Sequence, residues 1–348
     1  MIRNRWKCTN LLPHDTVVVY PSFGRLTSDG RIWRIEVCGT VYESGSVSRR
    51  KQMLLRLLQR VARIQPSESE RDLFESRIWA FIAPTGRGKR ILVRVGSNVY
   101  QMQRSTKRNG RFHGTVRLTA KDVEQLRQQG EFDDGWLNVR VVGSDGDDCR
   151  YAGLTRLMAS RGTSVVSDID DTIKVTEVHS RRSLLANTFL REFQAIDGMA
   201  ERYSQWHRQG ADFHYVSFSP WQLFAPLSDL LGEAGFPTGS FHLRSFQLRE
   251  HMLRRLKLIR RPGKYAAIRQ LLTTFPDRRF VLVGDSGERD PELYGALARK
   301  YGTQIRTIYI REVAENPMDS ERRRKAFERL QDERYCVFQQ SQELPKKL

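Results

Sequence analysis

Val165-Val166-Ser167-Asp168-Ile169-Asp170-Asp171-Thr172 is the stretch on which the reading of this chain turns. Two apolar residues lead into two carboxylates two positions apart, and a hydroxyl follows two further on. On an extended strand, residues i and i+2 face the same side. Asp168 and Asp170 can therefore converge at a strand's end, where one attacks and the other moves protons. A cation between them would keep the first ionised. A carboxylate nucleophile points to phosphoryl transfer. Taken alone, the same string also fits a solvated turn after a buried strand, so its neighbours must decide.

From about residue 160 the chain alternates strands and helices. Strands are expected at Thr163–Ser167, Asp212–Val216, Phe280–Val283 and Gln304–Ile310. Helices are expected from Asp197 to Gly210, and over Trp221–Ala234, Pro262–Phe275 and Pro291–Lys300. That rhythm predicts an α/β domain with a Rossmann-like, doubly wound parallel sheet. Ligands of such sheets sit beyond the carboxyl ends of the strands. Before residue 160 the chain reads as mostly β. Strands are expected at Thr16–Tyr20, Arg31–Tyr42, Ser76–Ala83, Arg90–Val95, Arg111–Leu118, Trp136–Val142 and Arg150–Leu157, with a hairpin turn at Asn109-Gly110. Helices interrupt them at Ser48–Ile64 and at Thr119–Gln129, where Thr119 and Asp122 resemble a capping box. Many short strands suggest a small sandwich or barrel. The expected division is thus a β-rich domain over residues 1–158 and a second domain over 159–348.

Composition narrows the function classes. At 348 residues the chain is long enough for two cored domains. Cys8, Cys38, Cys149 and Cys336 lie far apart and lack metal-finger spacing, which reads as reduced thiols in a cytoplasmic protein. Residues 1–14 hold basic residues but no apolar core, so they do not read as a secretory signal. No apolar run approaches membrane-spanning length. The net charge of +19 is concentrated in the first half and favours an anionic partner.

Three further polar groups fall at strand or helix ends of the expected sheet. Ser217, in Ser217-Phe218-Ser219-Pro220-Trp221, can donate to a phosphoryl oxygen. Lys264, near a helix start, can neutralise both a carboxylate and an incoming phosphate. Gly284-Asp285-Ser286-Gly287-Glu288-Arg289-Asp290 places Asp285 and Asp290 at the same edge, with Glu288 close enough to compete with Asp290. Hard oxygen ligands of this kind suit Mg²⁺.

These residues resemble the four motifs of haloacid-dehalogenase-type phosphotransferases. The longer strings Ser167–Thr176, Tyr215–Trp221, Gly235–Gly239 and Gly284–Glu292 resemble the catalytic domain of the actin-patch-protein phosphatidate phosphatases of fungi and their bacterial relatives, distant cousins of lipin. The resemblance covers roughly residues 160–312. The fungal proline-rich tail is missing, so no cytoskeletal or other protein partner is implied. The resemblance implies a haloacid-dehalogenase-like fold with a small cap or none. It implies Asp168 as nucleophile, Asp170 as acid and base, Thr172 and Ser217 as phosphoryl holders, and Lys264 as counter-charge. Mg²⁺ would lie between Asp168, the Asp170 carbonyl and Asp285, with Asp290 as ligand or support.

The short span between Asp170 and Ser217 leaves little room for a large lid, and an open site suits bulky or surface-bound phosphoesters. A basic, leucine-bearing segment follows, with Arg244, Arg254, Arg255, Lys257, Arg260 and Arg261. Together with Ser219 these are the expected contacts to substrate or to an anionic membrane surface. An ordinary amphipathic helix with a solvated basic face fits the segment almost as well. The expected reaction is Mg²⁺-dependent hydrolysis of phosphatidate to diacylglycerol and phosphate, by a cytoplasmic, peripheral enzyme. The alternatives are a phosphatase for nucleic-acid ends or phosphoproteins, and a non-catalytic membrane adaptor. No recognised nucleic-acid module, and no interleaving of aromatic with basic residues, supports nucleic acid.

Overall fold

The computed structural model describes residues 9–44, 67–144, 151–176, 181–244, 263–314 and 316–348. The expected helix at Ser48–Ile64 and most of the basic segment after Arg244 lie outside them. The described chain falls into two units, residues 9–44 with 82–159, and residues 67–81 with 160–348. No helix among the described residues is long and apolar enough to cross a membrane.

The first unit holds β1 (Thr16–Tyr20), β2 (Ser22–Leu26), β3 (Ile32–Tyr42), β4 (Leu92–Val95), β5 (Asn98–Gln101), β6 (Arg111–Thr119), β7 (Phe132–Asp133), β8 (Trp136–Val141) and β9 (Ala152–Met158). They form one mixed sheet in the order β1-β3-β2-β9-β8-β4-β5, with β6 on β3 and β7 on β8. Alternation builds its core. Along β6, Phe112, Val116 and Leu118 point inward while His113 and Arg117 face water. Val17, Val19, Ile35, Val37, Val93 and Val139 join them. The expected capping box closes the start of a helix over Ala120–Gln128: the Thr119 hydroxyl accepts from Asp122 N at 3.1 Å, and Asp122 accepts from Thr119 N at 2.8 Å. Such a cap is worth about 1 kcal/mol. The Asn109-Gly110 turn forms, with Gly110 at φ +71°, but it does not close a hairpin with the preceding strand. β6 pairs with β3, and β5 with β4.

One expected strand is a helix. Ser76–Ala83 falls largely within α1 (Glu68–Ile82). Ser67 and Glu70 form a reciprocal cap at its start, 2.8 Å and 3.3 Å. Phe74, Ile78 and Ile82 then form one buried stripe at i, i+4, i+8. This helix clusters with the second unit for clear reasons. Arg77 donates to the carbonyls of Thr188 and Arg191 and lies 3.9 Å over the Phe193 ring, and Phe74 and Phe81 pack on Phe189.

The second unit is built on a six-stranded, wholly parallel sheet. Its strands are β10 (Thr163–Ser167), β11 (Asp212–Pro220), β12 (Gly239–Arg244), β13 (Arg279–Asp285), β14 (Ile305–Arg311) and β15 (Tyr335–Phe338), in the order β12-β11-β10-β13-β14-β15. Strands β12 and β15 carry weaker sequence signals and extend the four expected ones. Val165, Val166, Val281, Leu282, Val283, Ile308 and Ile310 are buried, as a sheet covered on both faces requires. Among the described residues the helices in chain order are α1, α2 (Ala120–Gln128), α3 (Arg181–Phe189), α4 (Met199–Arg208), α5 (Phe224–Glu233), α6 (Gly263–Thr274), α7 (Asp290–Tyr301) and α8 (Ser320–Ala326). The chain runs outward from β10 to β12, then returns to β13 beside β10 and runs out the other way. That reversal opens a crevice between β10 and β13 at their carboxyl ends. Ser167 pairs with Val283, so Asp168 and Asp285 leave the sheet side by side.

Candidate active site

Asp168 is fixed first by the sheet: its N–H donates to Val283 O at 2.8 Å. Its side chain is buried, with Lys264 Nζ 2.9 Å from Oδ1 and the Thr172 hydroxyl 3.4 Å from Oδ2. Burial pushes the Asp168 carboxyl well up. Lys264 opposes that shift, and the carboxylates of Asp290, Glu288 and Asp285 reinforce it.

Lys264 stands in the first turn of α6, which Ile268, Leu271 and Leu272 anchor. Its ammonium also meets Asp290 at 2.6 Å and Glu288 at 3.4 Å, and it stays charged, since those carboxylates outweigh its burial. Asp290 is committed to this role, because the Tyr294 hydroxyl donates to its other oxygen at 3.3 Å. Gly284 makes room for it. A Cβ there would overlap Asp290 Oδ2 and come within 2.7 Å of the Tyr294 ring, so Gly284 serves close packing.

Asp285 is fully buried. Its Oδ1 accepts from Glu288 N at 3.0 Å, and its Oδ2 has no hydrogen-bond partner. Burial, then the neighbouring Asp290, push its carboxyl up to about 8. Oxygens of Asp168, Asp285 and Glu288 lie within 4.8 Å of one another. Three carboxylates thus meet one ammonium, and the Asp285 carboxyl keeps a buried oxygen with no partner. That is the donor set of a hard divalent cation, and the residues fit one. Glu288, not Asp290, completes the trio.

Asp170 faces a separate set of partners. Ser217 and Ser219 hydroxyls each donate to Oδ2 at 2.8 Å. Lys174 Nζ lies 3.1 Å from Oδ1, and the Thr176 hydroxyl donates to the same atom at 2.9 Å. Burial opposes ionisation, but Lys174 and the two serines overcome it and hold the carboxyl down to about 2. Asp171 makes this possible by adopting φ +54°, a conformation Asp tolerates. Its N–H donates to Lys174 O at 2.7 Å, and its side chain accepts from Thr176 N at 2.7 Å. The chain therefore folds back on itself.

The structure brings together Asp168, Asp170, Thr172, Ser217, Ser219, Lys264, Asp285 and Asp290. It adds three residues with no role in the sequence reading or only a contested one: Lys174, Thr176 and Glu288. A basic residue four places after Asp170 was the available signal for Lys174. Arg244 ends β12, half-buried and paired with Pro220 in the ladder. Arg254, Arg255, Lys257, Arg260 and Arg261 lie outside the described residues.

A parallel α/β sheet with an acid pair, a buried ammonium and a carboxylate trio at its switch point has the parts of an aspartate-based phosphohydrolase. Residues 163–312 match the family described as "Phosphatidate phosphatase APP1, catalytic domain". Phosphatidate phosphatase APP1 of Saccharomyces cerevisiae is 39% identical over 154 residues, covering 43% of this chain and 26% of the yeast protein. An uncharacterized protein of Schizosaccharomyces pombe is 33% identical over 168 residues, 47% of this chain and 27% of that protein. The chain thus matches about a quarter of the length of these relatives.

Proposed function

We propose that this chain hydrolyses phosphatidate to diacylglycerol and phosphate, with Mg²⁺ at Asp168, Asp285 and Glu288. One observation carries the chemistry: Asp168 and Asp170 are two residues apart yet sit in opposite electrostatic settings. The name of the yeast relative carries the substrate. When bound, Mg²⁺ would keep Asp168 ionised and offset charge on the phosphoryl oxygens. Asp168 attacks phosphorus, the P–O bond to the glyceride breaks, and an aspartyl-phosphate forms. Asp170 is a carboxylate in the free site, so it relays a proton from the phosphate's own P–OH to the leaving alkoxide. It then takes a proton from the water that attacks the aspartyl-phosphate, which frees phosphate and restores Asp168. Thr172 and Ser217 turn their hydroxyls to phosphoryl oxygens, and Lys264 offsets the charge on Asp168 and phosphate.

The strand order of the parallel sheet supports a haloacid-dehalogenase-like domain with a small cap or none. In the first unit, β6 covers one edge of β3, while β2 and β1 share the other edge end to end. A sheet that splits in this way supports a sandwich or barrel. Arg244 beside Pro220 and the net charge of +19 support work at an anionic membrane surface. Phosphate release from phosphatidate in mixed micelles, with and without Mg²⁺, tests the reading. Cleavage of an aryl phosphate but not of phosphatidate would remove the lipid. Vesicle binding with no turnover of any phosphoester would favour an adaptor instead.

A further inference from the structure

The loop Ser286-Gly287-Glu288 carries one carboxylate of the trio and directly follows another, Asp285. A ligand on a loop is only as well placed as the backbone beneath it. Here all three loop carbonyls are held from downstream. Arg322 Nη1 donates to Ser286 O at 2.6 Å and Nη2 to Glu288 O at 2.7 Å. Asn316 Nδ2 donates to Ser286 O at 2.9 Å and Gly287 O at 3.3 Å. Val313 N donates to the buried Ser286 hydroxyl at 2.8 Å. The Arg322 fork is itself fixed, with Nε donating to Glu292 Oε1 at 2.9 Å. α8, which carries Arg322, packs so closely on α7 that a Cβ at Gly295 would overlap the Ala326 carbonyl.

We propose that Arg322 and Asn316 are positioning residues for the cation site, a clamp that holds Asp285 and Glu288 at coordinating geometry. Both lie outside the matched segment 163–312. The inference rests on the divalent-cation part of the proposed function. Neither residue touches Asp168 or the phosphate. They act on loop carbonyls, and through these on the direction of Glu288 and on the Glu288 N–H that orients Asp285. A planar fork with several donors can serve two carbonyls and a carboxylate at once, whereas an ammonium on a flexible stem cannot hold that geometry.

The test uses the full chain and Mn²⁺ alone as probe, titrated by electron paramagnetic resonance without substrate. Thermal melting and the Mg²⁺ dependence of phosphate release accompany it. Arg322→Lys should raise the Mn²⁺ dissociation constant about 10–100-fold, the range for lost outer-shell partners. Asn316→Ala should weaken it less. Both should raise half-saturating Mg²⁺ while the rate at saturating Mg²⁺ stays near that of the parent, a split that general loosening would not give. Lys325→Ala, on the same helix in an exposed pair with Glu321, should change nothing. If Arg322→Lys does not fold, Asn316→Ala carries the test. Unchanged Mn²⁺ affinity in the folded variants overturns the clamp. A parent chain that binds no Mn²⁺ overturns both the clamp and the cation reading. Mn²⁺ binding without phosphate release removes the phosphatase reading alone, and the clamp then stands or falls on the affinities.

Discussion

The two ends of the parallel sheet bury polar groups in opposite ways. At the amino ends, Arg278 reaches Asp212 at 2.6 Å, the Ser164 hydroxyl at 2.9 Å and the carbonyls of Thr163 and Arg161 at 2.7 and 3.2 Å. His214 meets Ser240 at 2.7 Å and Ser164 at 3.4 Å, and burial holds it well below its usual range, hence neutral. One buried positive charge meets one negative charge there. At the carboxyl ends, three carboxylates share Lys264, and a fourth, Asp285, has an Oδ2 with no partner. A charge balance that closes within the chain builds a fold, and one left open, for the proposed Mg²⁺ to close, builds a site.

The largest break in that contrast is Asp168→Asn. It removes the proposed nucleophile and should cut phosphate release at least about 1,000-fold with the fold intact. Unimpaired release would end the covalent mechanism. Next come the two buried cations. Lys264→Met and Arg278→Met should each cost about 3–5 kcal/mol, because each strands a buried carboxylate. Melting curves should separate them, since Mg²⁺ should restore part of the loss in Lys264→Met and none in Arg278→Met.

Lys174→Met should lower the turnover rate about 100-fold by loosening Asp170, with little change in the substrate concentration for half-maximal rate. It also moves an acid transition. A depressed carboxyl stabilises the fold above its ordinary pKa of 3.8, and that stability is lost as pH falls toward about 2. Without Lys174 the fall in stability between pH 3.8 and about 2 should flatten, as circular dichroism against pH would show. The smallest effect belongs to His242, which burial pushes down to about 4. The unfolded chain binds the extra proton between pH 6.5 and 4, so stability falls as pH drops through that window. His242→Gln should flatten that slope in melting temperature.

Asp168, Asp170, Ser217, Lys264 and Asp285 were legible because each is a reactive type at the end of a recognisable strand or helix. Which of Glu288 and Asp290 clusters with Asp168 and Asp285 was not. The two are separated by one residue, and what decides is the space at Gly284, which draws Asp290 under the sheet to Lys264. Lys174 and Thr176 stand in plain view after the motif, but only the left-handed turn at Asp171 returns them to Asp170. The strand expected at Ser76–Ala83 was a misjudged period, and the Ser67–Glu70 cap that announces the helix was present in the sequence. Arg322 gives no local sign, because its partners are backbone carbonyls 34 and 36 residues upstream.

The pairing of β10 with β13 also sets when the site can exist. Its paired residues are roughly 115 positions apart, with two strands and several helices between them. At ~5–20 residues per second, a ribosome needs roughly 6–23 s to follow Asp168 with the strand that fixes it. Long-range parallel pairing is slow to form. During synthesis Asp168 is a lone carboxylate on an unpaired strand, and the candidate site assembles only when the sheet closes.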